Sequence, residues 1–128
     1  MMKIVSLTAE DTELLNEAQI ANLATVLADG SPHVVPVWID TDGEALLFNT
    51  FKDSVKHRNL VRDPRVAISV VDKADPYRKV VVRGTVEFTE DGADAHLDKL
   101  AKKYLGVDTY PWRNPDNVRI IGRVLPKG

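Results

Sequence analysis

Cysteine is absent from the 128 residues. That excludes disulfides, thiolate metal ligands and thiol nucleophiles at once, and it fits a reducing cytoplasm, the compartment expected here. Histidine is scarce: His33, His57 and His96 stand far apart without clustered carboxylates, so no metal site is expected. His96 falls on the side of the last helix expected to face solvent. His33 follows a hairpin turn, where a polar residue needs no special reason, and His57 reads as a surface residue. Only four serines occur, and no Gly-x-Ser-x-Gly elbow surrounds any of them. The acid pairs Glu10-Asp11 and Asp40/Asp42 sit at caps and turns, so the chain is expected to carry no catalytic residue of its own. An excess of positive charge is missing too. A net charge of −2 and a pI near 5.9 give no reason to expect nucleic acid or an anionic membrane as partner. The opening Met-Met-Lys-Ile-Val-Ser-Leu-Thr-Ala-Glu-Asp has no long apolar core and soon turns acidic, so it reads as neither signal peptide nor membrane span.

What is present describes a globular protein with a sizeable core: 44% hydrophobic and 28% charged residues. The length predicts one domain over 1–128, with an N-terminal helical segment over 1–21 and the main body over 22–125. Thr8, answered by Asp11, caps the first helix. Asn22 to Ala28 reads as a strand, closed by a hairpin turn at Asp29-Gly30. The strand His33 to Ile39 contains Pro36, which donates no ladder hydrogen bond and so marks an edge, a bulge or backbone facing something else. Asp42-Gly43 turns the chain into Ala45 to Phe48. The β-branched run Val66 to Val71 reads as a buried strand. Lys79 to Thr89 is a long strand with Gly84 as a bend. Asp91 to Leu105 is the clearest helix, with Leu97, Leu100, Ala101 and Tyr104 at helical spacing and Gly106 as its stop. An aromatic, proline-containing loop over 110–115 leads to a last strand, Val118 to Leu125. Six strands with tight turns and a few short peripheral helices predict a mainly β (α+β), six-stranded antiparallel barrel.

One stretch resists explanation as packing. Between Phe48 and Leu60, Asn49-Thr50 ends a strand and Asp53 or Ser54 caps a short helix. Lys52, Lys56, His57 and Arg58 crowd the positive end of that helix, while Asp63 lies near its negative end. Each cation so placed costs a few tenths of a kcal/mol to roughly 1 kcal/mol unless an anion offsets it. A solvated basic surface helix is one reading. The other is a phosphate site, built from a hydroxyl, orphan helix N–H groups and several cations.

The spacing favours the second. A strand ending in Asn-Thr and followed by Lys56 resembles the flavin-phosphate segment of the pyridoxamine 5′-phosphate oxidase-like proteins. Asp29-Gly30-Ser31-Pro32-His33, Pro36-Val37-Trp38, Leu46 to Thr50, Lys56 to Leu60, Arg62 to Val66 and Val82-Arg83-Gly84 follow in that family's order, over about 100 residues from Asn22 to the last strand. They look most like its branch that binds the deazaflavin coenzyme F-420. The resemblance implies a split β-barrel of the FMN-binding type, working as a homodimer. It implies that Thr50, with Ser54 four residues on, contacts the ring system or phosphate, that Lys56 binds the phosphate, and that Asn49, Arg58 and Asn59 belong to the same site. Pro36, Val37 and Trp38 then lie beneath the ring, with Trp38 open to either a core or a wall role. Tyr77, Arg78 and Lys79 approach from nearby, from the other subunit. Where oxidase members carry Ser-Arg-Lys, this chain has Ser54-Val55-Lys56, which weakens an authentic pyridoxamine phosphate oxidase reading. Three functions follow: an F-420-dependent reductase of an unsaturated or conjugated small molecule, an FMN-dependent oxidoreductase, or a non-catalytic binder of a flavin or a haem product. The excess cations Lys56, Arg58, Arg78 and Lys79 favour the first over the second. In each case the cofactor carries the redox chemistry and the protein supplies orientation and electrostatics.

Overall fold

The structure, a computed structural model, describes residues 5–127; the reading of the first four residues lies outside them. The elements in chain order are α1 (Ala9–Asn16), β1 (Ile20–Val26), β2 (Pro32–Trp38), β3 (Asp40–Thr41), β4 (Leu46–Phe51), α2 (Val55–Arg62), β5 (Arg65–Val71), β6 (Lys79–Thr89), α3 (Ala93–Leu105) and β7 (Arg119–Pro126). All seven strands join one antiparallel sheet in the order β2-β1-β5-β6-β7-β4-β3. The two edges of this sheet, β2 and β3, are separated in the chain by Ile39 alone. A sheet whose edges are one residue apart has to curl until they meet, which makes the barrel.

The seventh strand corrects the expected six. The chain does not stop at Ile39 but leaves the β1 ladder there and pairs with β4 through Asp40↔Leu47 and Thr41↔Leu46. Pro36 sits on the edge strand β2 opposite Asn22, where a missing N–H is tolerated. Alternation then sets the inner face. Ala21 and Leu23 of β1, Ile68 and Val70 of β5, Phe48 of β4 and Val124 of β7 are all sealed from solvent. Gly122 leaves room for this packing, since a Cβ there would overlap the Phe48 ring. Gly84 was expected as a bend, but it stays in the ladders opposite Val66 and Pro126. It is bare because the Leu125 carbonyl approaches where a Cβ would stand.

The helices close the openings. Thr8 and Asp11 form a reciprocal capping box at the start of α1, which buries Leu14 and Leu15. From α3, Leu97, Leu100 and Ala101 are buried. The same helix holds the bend between β2 and β3. Lys103 Nζ donates to the carbonyls of Leu15 and Ile39, each at 2.6 Å, and the Tyr104 hydroxyl accepts the Ile39 N–H at 3.0 Å while donating to the Gln19 carbonyl at 2.5 Å.

Candidate functional site

Ser54, not Asp53, caps α2: its Oγ accepts the His57 N–H at 3.1 Å and the Thr50 hydroxyl at 2.9 Å. Asp53 takes the left-handed φ of 69° that turns β4 into the helix, and its N–H donates to His57 Nδ1 at 2.9 Å. This fixes Lys56 on the first turn of α2, half-buried and with no hydrogen-bond or salt-bridge partner among the described residues. Burial pushes its pKa down, and the neighbouring Arg119 adds to the shift. Arg119, at the start of β7 and also half-buried, has its pKa lowered chiefly by burial. Its Nε donates to Asn49 Oδ1 at 2.9 Å, and its guanidinium lies 5.7 Å from the Phe51 ring and 5.9 Å from that of Tyr110. Two partly desolvated cations side by side, with no carboxylate partner among the described residues, make an electropositive site that an anion would relieve.

These cations open on a cleft of about 380 Å³, lined also by Pro36, Val37 and Trp38 of β2, Asn49 of β4, Leu97 and Leu100 of α3, Ile20, Tyr110 and Trp112. The volume falls within the roughly 300–1,000 Å³ usual for small-molecule sites. Its walls are aromatic. Trp38 stacks on Tyr104 at 5.2 Å, Tyr110 meets Trp38 edge-on at 6.1 Å, and the exposed Trp112 meets Tyr110 edge-on at 5.7 Å. Asp98 anchors the loop that carries Tyr110 and Trp112, accepting the Tyr110 N–H at 2.9 Å and Arg113 Nη2 at 2.5 Å.

Behind the cleft lies a buried polar chain. Asn49 Nδ2 donates to the Ala93 carbonyl at 2.9 Å and lies 3.2 Å from His96 Nδ1, while His96 Nε2 lies 3.2 Å from Asp40 Oδ2. Lys99 Nζ donates to the same Asp40 oxygen at 3.0 Å. Burial alone would push the Asp40 carboxyl up, but hydrogen bonds from His96, Lys99 and the Thr41 backbone hold it well below the usual carboxylate range. His96 is therefore not solvent-facing as expected but 8% exposed. It sits three residues after the buried Ala93, on the inward side of α3, and its partners make burial of a polar ring tolerable.

Of the residues singled out in the sequence, Pro36, Val37, Trp38, Asn49 and Lys56 meet at the cleft. Thr50 and Ser54 are buried, their hydroxyls paired with each other at the helix start. Asn59 is 3% exposed and donates to Thr25 Oγ1 at 3.0 Å, tying α2 to β1 instead of lining the cleft. Arg58 is exposed and lines no part of the cleft. Nor do Tyr77, Arg78 and Lys79 reach it within one chain. Tyr77 is 92% exposed, Arg78 is committed to Glu17 at 2.7 Å and Asp72 at 3.1 Å, and Lys79 lines a separate cavity of about 720 Å³ with Val81 and Arg83. Missing from the sequence reading were Arg119 and Tyr110. The one available signal was a charged residue sharing a strand face with Ile121.

The profile of one family, described as pyridoxamine 5′-phosphate oxidase, matches residues 7–124. Among solved structures, an F-420 reductase is similar at 37% identity, with 91% of this chain and 92% of that chain covered and a TM-score of 0.78. A conserved hypothetical protein from Mycobacterium tuberculosis is similar at 28% identity, covering 96% of this chain and 82% of that one, with a TM-score of 0.71. A candidate pyridoxamine 5′-phosphate oxidase from Lactobacillus delbrueckii, at 24% identity, 95% and 92% coverage and a TM-score of 0.65, shares the fold. No curated protein matches the chain.

Proposed function

The chain belongs to the pyridoxamine 5′-phosphate oxidase family, and on that footing we propose that it is an oxidoreductase whose cleft seats the deazaflavin coenzyme F-420. The observation that carries this is the pair Lys56 and Arg119, two half-buried cations without carboxylate partners among the described residues, set among the aromatic rings of Trp38, Tyr110 and Trp112. A flat ring system with an anionic tail fits such a lining: rings flank rings, and the cations meet the negative charge. Val55 in place of the oxidase members' arginine supports the deazaflavin over FMN, as does the likeness to an F-420 reductase. When bound, such a cofactor supplies hydride to an unsaturated or conjugated small-molecule acceptor. The chain's part is to hold the tail with Lys56 and Arg119, to orient the ring against Trp38, and to exclude water with the loop that Asp98 anchors. Titrating the purified protein separately with FMN and with coenzyme F-420 tests the assignment. Tight FMN binding with no binding of the deazaflavin would reverse it.

A homodimer with the cofactor at its interface is part of the proposal, in the reducing cytoplasm that the lack of cysteine fits. The register sets Pro36, Asn22, Ser69 and Val81 in one row of the outer sheet face and Val34, Ala24, Ala67 and Arg83 in the next. Val34 and Val81 stand 64% and 71% exposed on this face, and Arg83 is the one charged residue in these two rows. Such an apolar face is suited to a second copy, whose exposed Tyr77 and Lys79 would then be available to complete the cleft. A monomeric mass by sedimentation at micromolar concentration would overturn this.

A further inference from the structure

A carboxamide has a donor end and an acceptor end, and its surroundings decide how it lies. At Asn49 they leave no choice. The Ala93 carbonyl, 2.9 Å away, can only accept, and the Arg119 Nε–H, 2.9 Å away, can only donate. Nδ2 therefore faces Ala93 and Oδ1 faces Arg119. The second Nδ2 proton meets His96 Nδ1 at 3.2 Å, so that ring nitrogen presents a lone pair. The ring proton then sits on Nε2 and is donated to Asp40 Oδ2. The contact between Asp40 and His96 needs no imidazolium: an Nε2–H donor suffices for the carboxylate, and Lys99 supplies the charge opposite it. The chain of contacts thus runs from a carboxylate 2% exposed, through ring and amide, to a cation on the cleft wall. Nη1 and Nη2 of Arg119 make no hydrogen bond among the described residues.

We propose that His96 is a positioning residue: held as the Nε2–H tautomer by Asp40, it fixes Asn49 so that Oδ1 grips Arg119 at Nε and leaves the guanidinium fork free for an anionic group in the cleft. The proposal rests on reading the cleft as an anion site, whichever cofactor brings the anion. An arginine gripped at Nε surrenders less side-chain freedom when its fork takes up a ligand. With the other tautomer, Asn49 would have to reverse, and its Nδ2 would confront the Arg119 Nε–H, donor against donor. The grip would be lost.

Long-range ¹H–¹⁵N NMR on the wild-type protein reads the tautomer directly, and a sulfate titration at low salt reads the fork. The expected result is a His96 ring protonated at Nε2 only, with an Arg119 Nε–H that exchanges slowly with water. His96→Phe is expected to lose that slow exchange and to bind sulfate roughly three- to tenfold more weakly. A wild-type ring protonated at Nδ1, or at both nitrogens, overturns the proposal even if His96→Phe does not fold. So does a folded His96→Phe with wild-type Arg119 exchange and sulfate affinity. Sulfate keeps the two readings apart: binding that depends on His96 while neither FMN nor coenzyme F-420 binds would sink the cofactor assignment and leave the relay standing.

Discussion

Lys56 is expensive for the free protein, because it is half-buried, close to Arg119 and on the positive end of a helix. Lys56→Ala is therefore expected to leave the stability of the ligand-free protein unchanged or slightly raised. It should weaken cofactor binding by one charge-assisted contact, roughly 1.5–3 kcal/mol, or about one to two decades in Kd. Lys102→Ala, on the exposed side of α3 where it reaches only Asp108 at 3.5 Å, should leave affinity alone. Fluorescence titration at low salt distinguishes the two, and equal affinity in Lys56→Ala and wild type would sink the phosphate-site reading. Gly122→Ala tests the core instead. Its methyl group would overlap the Phe48 ring, and overpacking of this kind costs about 1–3 kcal/mol, visible as a lower urea midpoint. At this scale local spacing singled out Asn49, Lys56 and Trp38, which the fold brings to one cleft. That spacing was silent where meaning depends on distant partners. Helical spacing sets His96 inward, three residues after Ala93 and four before Leu100, but the partners that make its burial tolerable, Asp40 and Asn49, lie 56 and 47 residues away in sequence, and no local pattern encodes those. For Asn59 and Arg78 the local pattern showed nothing of the distant partners they meet within the chain, Thr25 for the first and Glu17 for the second, which also pairs with Asp72.

Among the elements, α2 depends most on a single side chain. Ser54 Oγ serves both the His57 N–H and the Thr50 hydroxyl. Ser54→Ala is expected to cost about 1 kcal/mol for the cap, plus a further fraction because the buried Thr50 hydroxyl loses its acceptor. Chemical denaturation should show the loss, and Ser54→Asp, which restores a capping oxygen, should recover part of it. Alternation and turn residues made the strands legible: Asp29-Gly30 and Asp42-Gly43 turn where expected, with φ of 87° and 91° at the glycines. The strand count was not legible. Nothing in Trp38-Ile39-Asp40 marks a backbone that changes partners, since both halves are extended, and the change shows only in which strand each half pairs with.

For the molecule as a whole, Lys103 couples stability to pH. Burial pushes its pKa down to about 8 from the ordinary 10.5, with Asp40 opposing and Lys99 assisting. Between those two values the unfolded chain holds the proton and the folded one releases it. Stability should therefore rise with pH across roughly 8 to 10.5 and lose this dependence below 8, where both states are protonated. Thermal melts across that range, with Lys103→Met flattening the rise, check the sign. Lys103 and Tyr104 also grip both the carbonyl and the N–H of Ile39, the lone residue between the two sheet edges. No neighbouring strand secures that peptide; a helix does. The barrel therefore has a clasp, and releasing α3 and parting the edges become one local opening. The Ile39 amide should trade its hydrogen for deuterium on the timescale of helix undocking, ahead of the ladders on either side. Because Leu97 and Leu100 of that helix also line the cleft, a ligand seated there would slow the Ile39 clock through the same helix.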